Sequence, residues 1–303
     1  MRTPIRKLGR GRARTRLAAL IGIAALSMST LAACGDDGGG GGDAGDLPPK
    51  DETLTIGIAN EQPYGYMSGG EATGFSPDVA RAVLTEMGYE DFEFEVVEFG
   101  ALVKGLRSQQ FDLVAAGMYL TPDRLKQVGF SDPDYCIGES FAVEKGNPEG
   151  IVDYSSFVDN PDLTLAVASG TVEVGYAEDA GVPDEQLKPF SGIDPMYAAL
   201  AAGEVDAVSG TAATVETQVK GRPGLEAVEP FIPENSVPPC GGYAFRLEDQ
   251  ALRDAFNEQL NEFREDGTTT EIITKYEDQG GPTAEDVAQA NELTTEDFEE
   301  APQ

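Results

Sequence analysis

Segments with a two-residue hydrophobic period alternate along this chain with segments of three-to-four-residue period, and no other feature restricts the fold as much. Leu54, Ile56 and Ile58 fall on one face of a predicted strand. Val79, Val83 and Met87 recur every four residues and predict a helix that stops at Gly88. Phe92, Phe94 and Val96 alternate again, Leu102 and Leu106 suggest a short helix, and the run 113–116 reads as a buried strand. A second alternating region starts near Leu163. Leu163, Leu165 and Val167 form a strand, Gly170-Thr171 opens a helix to about Asp179, a helix covers 196–202, and 205–208 is another short strand. Leu252, Phe256, Leu260 and Phe263 mark an amphipathic helix ending at Asp266-Gly267. Strand and helix in turn predict an α/β protein with largely parallel sheets, divided into two units of ~90–120 residues. Ligands of such sheets bind beyond the carboxyl ends of the strands. The loops Ala59-Asn60-Glu61, Gly117-Met118-Tyr119 and Ser169-Gly170-Thr171 are therefore the candidate binding positions.

Composition removes many alternatives. The 303 residues contain no His, which excludes Ser-His-Asp and Cys-His nucleophilic chemistry and His-ligated zinc. No metal site or cofactor is expected. A formal charge of −33 argues against nucleic acid, whose phosphates need a basic footprint. Most of that acid reads as a solvated surface.

The basic residues are unevenly placed. Arg2, Arg6, Lys7, Arg10, Arg12, Arg14 and Arg16 precede an apolar run over 17–33 that ends in small residues, the pattern of a secretory signal peptide (1–33). The sequence Leu31-Ala32-Ala33-Cys34-Gly35 resembles the lipobox of bacterial lipoproteins, which implies lipidation of Cys34 and attachment to the outer face of the cell membrane. Residues 34–50, rich in Gly and Asp, read as a flexible tether. Cys136 and Cys240 remain. In an oxidising compartment an even remainder suggests a disulfide, with two buried free thiols as the alternative.

Four stretches together carry a resemblance: Glu61-Gln62-Pro63-Tyr64-Gly65-Tyr66, Gly74-Phe75-Ser76-Pro77-Asp78-Val79, 117–124 with its Thr121-Pro122-Asp123-Arg124, and Phe130-Ser131-Asp132-Pro133-Asp134-Tyr135. In order and spacing, residues 52–276 resemble the family 3 extracellular solute-binding proteins, which deliver polar amino acids and related zwitterions to ABC importers. The resemblance implies a two-lobe, type II periplasmic-binding-protein-like α/β fold with a hinge of two crossing strands. Lobe 1 would comprise 51–139 plus 242–277 and lobe 2 residues 140–241, leaving 278–303 as an acidic surface tail. It implies crossings near 136–143 and 240–245, which a Cys136–Cys240 bridge would pin together. Its partners would be an ABC permease and its ATPase, and a monomer is expected.

By the same resemblance, Arg124 would fork onto a ligand carboxylate, and Thr171 at a helix N-terminus would meet it from the other lobe. Relatives that bind α-amino acids carry an Asp where this chain has Thr211, and Thr or Ser where it has Tyr119. An α-ammonium would lose its charge partner, and aromatic residues would replace it. Glu61, Tyr64, Phe99, Tyr119, Arg124 and Thr171 resemble the ligand set of ectoine and hydroxyectoine importers, and Gly117 is expected beside them as a further binding residue. Gly192 stands where that set has an acid, and the expectation is either that Asp194 substitutes or that this contact is absent. Glycine betaine or a polar amino acid is the nearest alternative solute. A dehydratase acting on cyclic acids would need a second carboxylate in a clear partnering role beside Glu61, and the sequence offers none.

Overall fold

The computed structural model describes residues 46–234 and 236–300. The signal peptide, Cys34 and nearly all of the tether lie outside the described residues.

The first part of the chain runs β1 (Leu54–Ile58), β2 (Tyr66–Ser68), β3 (Glu71–Thr73), α1 (Phe75–Glu86), β4 (Phe92–Val96), α2 (Leu102–Arg107), β5 (Leu113–Tyr119), α3 (Pro122–Leu125), β6 (Gly129–Phe130) and β7 (Tyr135–Cys136). Next come β8 (Glu139–Glu144), α4 (Ser155–Asp159), β9 (Leu165–Ala168), α5 (Val172–Asp179), β10 (Leu187–Phe190), α6 (Ile193–Ala201), β11 (Ala207–Thr211), α7 (Ala212–Lys220) and β12 (Leu225–Ala227). The chain then returns through β13 (Cys240–Phe245), α8 (Gln250–Asp266), α9 (Thr268–Ile273) and α10 (Ala284–Ala290).

Two main sheets result. The first has the order β4-β1-β5-β13-β6, with β7 also paired to β13. Its β1 is parallel to β4 and β5, and β13 is antiparallel to β5, β6 and β7. The second has the order β10-β9-β11-β8-β12, with β9 parallel to β10 and β11 and β8 antiparallel to β11 and β12. Central strands are buried on both faces, which explains why they read as continuous apolar runs. In β5, Leu113 and Ala115 join one core cluster while Val114, Ala116 and Met118 join another. In β9, Leu165 and Val167 face one cluster and Ala166 and Ala168 the other. The predicted α/β class, the two sheets and the principal helices are all present.

The chain passes between the sheets twice, through residues 137–138 and 228–239. Glu139 and Phe231 pair across these two passages. Strands β8 and β13 each lie wholly within one sheet, so the first crossing falls at the start of the expected 136–143 and the second before the expected 240–245. Cys136 and Cys240 are opposed in β7 and β13, with Cα atoms 3.9 Å apart, and are disulfide-bonded. This excludes the free-thiol alternative.

The expectation of a surface tail from residue 278 is corrected. Thr283 and Asp286 form a capping box that starts α10, and Thr294 and Asp297 form a second. Val287, Ala290 and Phe298 are fully buried against the first sheet's clusters. The Arg264 guanidinium donates to the carbonyls of Ala290 (2.6 Å) and Leu293 (2.8 Å), and Thr295 donates to Asp132 from its backbone N–H (2.8 Å). Two short apolar contacts a turn apart are too few to stand out as a period among so many acids. The sequence signal that does reveal the segment is the pair of Thr-x-x-Asp boxes. Among the described residues no helix is long and apolar enough to cross a membrane.

Candidate functional site

The carboxyl ends of β1 and β5 face those of β9 and β11, and the loops after these strands meet in a closed cleft. After β1 the chain turns back so that Glu61 and Gly65 exchange backbone hydrogen bonds of 2.8 and 2.9 Å. This turn holds Glu61 and Tyr64 toward the second sheet. Gly117, at φ +63°, lies so close to the Tyr64 ring that a Cβ there would meet Cδ1 at 2.0 Å. A glycine is required both for that left-handed backbone and for that approach. Thr121 caps α3 with Pro122 at the first turn, which brings Arg124 back over Tyr119. From the other side, Thr171 caps α5 and places Val172 and Glu173 at the opening of that helix.

An inner cavity is lined by Glu61, Tyr64, Phe99, Ala116, Gly117, Tyr119, Arg124, Thr171, Val172, Glu173 and Thr211. A larger outer cavity continues toward solvent and shares Glu61, Phe99, Thr171 and Glu173 with it. Hydrogen bonds between the two bodies shut the cleft. The Tyr64 hydroxyl donates to Thr211 Oγ1 at 2.7 Å, Thr214 Oγ1 donates to Glu61 Oε1 at 2.6 Å, and Arg124 Nη2 donates to the Gly170 carbonyl at 3.2 Å. Entry of a solute requires these to part.

Arg124 is nearly buried, and its Nη1 donates to the Tyr119 carbonyl at 2.9 Å. With two of its five N–H groups so used, three remain for an anion. Its guanidinium carbon lies 5.4 Å from the centroid of Phe99, within cation–π range. Tyr64 and Tyr119 line the cavity from an aromatic group that includes Tyr135, at centroid distances of 5.6 and 6.2 Å. The Tyr119 hydroxyl donates to the Ile137 carbonyl at 2.6 Å, tying the cavity wall to one crossing segment. Burial pushes the Glu61 carboxyl up to about 7; the nearby charge of Glu173 adds to the rise, and the Thr214 hydrogen bond opposes it.

Seven of the eight expected binding residues line the inner cavity, and two of the eight differ in role. Gly117 offers space rather than donors. Its N–H lies 3.3 Å from Ser76 Oγ and its carbonyl accepts from the Tyr135 hydroxyl at 2.7 Å. Asp194 is the residue that does not join them. Its side chain is 93% exposed, at the rim of the outer cavity, 3.7 Å from Arg222. The acid nearest Gly192 comes instead from the opposite body, where Glu98 Oε2 lies 3.0 Å from the position a Cβ at 192 would take. A contact made across the cleft leaves no local pattern in the sequence.

The sequence also passed over two acids. Glu173 is 6% exposed, lines both cavities, and has an Oε2 without a hydrogen-bond partner. Glu139 is fully buried beside Thr211 in the β8–β11 ladder, and neither of its oxygens has a partner. Burial raises the proton affinity of both, and the charges of Glu173 and Glu61 reinforce the effect on Glu139. Glu61 is therefore not the only carboxylate of the cleft. An acid in the first turn of a helix is commonplace, which hides Glu173. A strand-initial Glu139 carries no signal without knowledge of its neighbours.

Two α/β bodies joined by paired crossings, shut on a polar and aromatic cavity, define a solute-binding protein. Residues 54–279 match the bacterial extracellular solute-binding proteins, family 3, and the chain belongs to that family. It is 32% identical over 252 residues to a probable amino-acid ABC transporter periplasmic-binding protein, y4tE, of Sinorhizobium fredii (strain NBRC 101917 / NGR234), covering 81% of this chain and 82% of that one. The arginine-binding extracellular protein ArtP of Bacillus subtilis (strain 168) is 29% identical, covering 85% and 96%. Among solved structures, EhuB in complex with hydroxyectoine superposes with a TM-score of 0.75 at 32% identity, covering 82% of this chain and 95% of that one. An ancestral arginine-binding protein bound to arginine gives a TM-score of 0.66 at 30% identity, covering 74% and 97%. The protein is thus a solute-binding component of the amino-acid ABC-transporter type.

Proposed function

We propose that the cleft captures ectoine or hydroxyectoine for import, in a monomer anchored to the outer face of the cell membrane by lipid on Cys34 and delivering to an ABC permease and its ATPase. The observation that carries this reading is that Glu61, Tyr64, Phe99, Tyr119, Arg124 and Thr171 line one cavity. The free N–H groups of Arg124 take the ligand carboxylate. Glu61 accepts from the ring N–H groups, and the three aromatic rings flank the flat amidinium. The paired crossings act as the hinge between lobe 1 and lobe 2, and no cofactor takes part. The likeness to EhuB in its hydroxyectoine complex supports the ligand class.

A cationic amino acid such as arginine is the second reading. It is favoured by two carboxylates, Glu61 and Glu173, lining the same inner cavity as a single guanidinium.

Isothermal titration calorimetry on ligand-stripped residues 47–303, without reductant, separates the two. Ectoine and hydroxyectoine are expected to bind at micromolar Kd or tighter, with arginine, glutamate and proline silent. Arginine heat without ectoine heat would replace the ligand and leave the importer role. Glu61→Gln is expected to weaken ectoine strongly and glycine betaine little, because a quaternary ammonium has no N–H to donate. The second carboxylate in the cleft also makes turnover worth testing, since the ancestral amino-acid-binding protein AncCDT-1, described as a precursor of cyclohexadienyl dehydratase, shares the fold at a TM-score of 0.65 and 26% identity. The bound solute is expected to return unchanged after prolonged incubation, as read by mass spectrometry.

A further inference from the structure

The cleft has one cation, and it lies at the inner end. The inner cavity holds the guanidinium of Arg124 together with Glu61 and Glu173, whereas the outer cavity is lined by Glu61, Glu98, Glu173 and Asp194 and by no basic residue. A dipolar solute is thereby oriented, carboxylate inward and cation toward the mouth. Two of these acids sit where the cavities join. Glu61 projects from the turn after β1, on the first body, and Glu173 from the first turn of α5, on the second. They are carried by opposite walls, and closure brings them together.

Glu173 meets no base within ion-pair distance, although Arg124 is near enough to favour its charged form. Its unpartnered Oε2 is buried against the cavity. A buried carboxylate oxygen without a donor is costly, and it is satisfied when a donor of opposite charge arrives. Without one, two facing carboxylates oppose closure, because like charges taken out of water repel strongly.

Resting on the reading that the cleft binds a solute with a cationic group, we propose that Glu61 and Glu173 clamp that group between the two bodies, so that the cation itself holds the trap shut. Glu173 is then a specificity-determining residue. It rejects anions of matching shape and couples recognition at one wall to recognition at the other. The alternative role, a counter-charge that merely restrains Arg124, predicts the opposite response. Removing it would free Arg124 and tighten every carboxylate-bearing ligand.

The test is Glu173→Gln, isosteric and uncharged, with Glu61→Gln and the double variant, in the full mature chain. By calorimetry, Glu173→Gln is expected to weaken ectoine and arginine at least tenfold. Succinate, which has no cation, is expected to gain or stay unchanged. The double variant is expected to lose less than the product of the two single losses, since the clamp needs both jaws. Small-angle scattering of the ligand-free proteins at pH 8 is expected to show a smaller radius of gyration for either variant than for the wild type. That arm needs no ligand, so it decides the clamp even where the wild type binds neither ectoine nor arginine. Wild-type affinity for cationic ligands in Glu173→Gln, tightening of all ligands alike, or unchanged scattering would each overturn the clamp. Unchanged circular dichroism of the variants, with Glu61→Gln as the second jaw, separates loss of the clamp from loss of fold.

Discussion

Gly100 and Gly170 meet where the two bodies close on each other, and a single methyl group there should hold the trap ajar. Gly100 follows Phe99 on the first body, and a Cβ on it would meet the Ser169 carbonyl oxygen at 2.6 Å, about 0.8 Å inside ordinary contact at 3.4 Å. The obstructing atom is backbone and has no rotamer by which to escape. Gly100 has ordinary backbone dihedrals, so Ala fits its own turn without strain. The open state of Gly100→Ala is therefore undisturbed, and the overlap falls on the closed state alone. Overpacking of this kind costs ~1–3 kcal/mol. At ~1.4 kcal/mol per factor of ten, ligand affinity should fall roughly 5- to 150-fold. The assay pairs calorimetry with ectoine against thermal melting of the ligand-free protein. Affinity is expected to drop in that range, with a ligand-free Tm equal to or slightly above wild type, because Ala stiffens the unfolded chain. Unchanged affinity would refute the reasoning, since the bodies would then not need to come this close to hold the solute.

Three further outcomes are expected. Arg124→Lys should weaken ectoine binding by about 10- to 100-fold in calorimetry, because a point ammonium cannot hold the Tyr119 and Gly170 carbonyls and also fork onto a carboxylate. Tyr119→Phe keeps the ring but leaves the Ile137 carbonyl without its donor, and should cost about 1–3 kcal/mol in urea unfolding. The third concerns pH. The Glu61 carboxyl is raised on folding from about 4.5 to about 7, so the folded protein binds the extra proton. Its contribution is greatest below about 4.5 and is lost as pH rises through 7. The ligand-free Tm should decline between pH 5 and pH 8, and decline less in Glu61→Gln. A residual slope is expected from Asp134, which burial raises to about 7 in the same direction.

Local pattern and long-range contact account for what could and could not be read from the sequence. Leu113 to Ala116 read as a buried strand because both faces of β5 pack, and Leu252, Phe256 and Leu260 read as a helix because their spacing is the helical repeat. Arg124, Glu61 and the aromatic residues stood out because they follow strand ends in a recurring order. Glu173, Glu139 and Glu98 did not. Each acquires its meaning from a residue in the other body or another strand, and in the sequence each is one acid among many. Asp194 failed for the complementary reason. Nearness in sequence to Gly192 suggested a substitute, while the acid that comes to Gly192 arrives across the cleft. The segment around α10 was hidden by its charge, although its two capping boxes mark it.

The bridge between Cys136 and Cys240 spans a sequence separation of 104 residues, with Cα atoms 3.9 Å apart. The whole second sheet and its helices hang from the first body as a covalently sealed cassette whose entrance and exit coincide. A protease that nicked an exposed loop inside it would open a ring, and both fragments would stay attached. The same coincidence means that the cassette could be cut out and the severed ends rejoined by a turn of a few residues. That would leave the wall bearing Glu61, Tyr64 and Arg124 to fold without its counterpart.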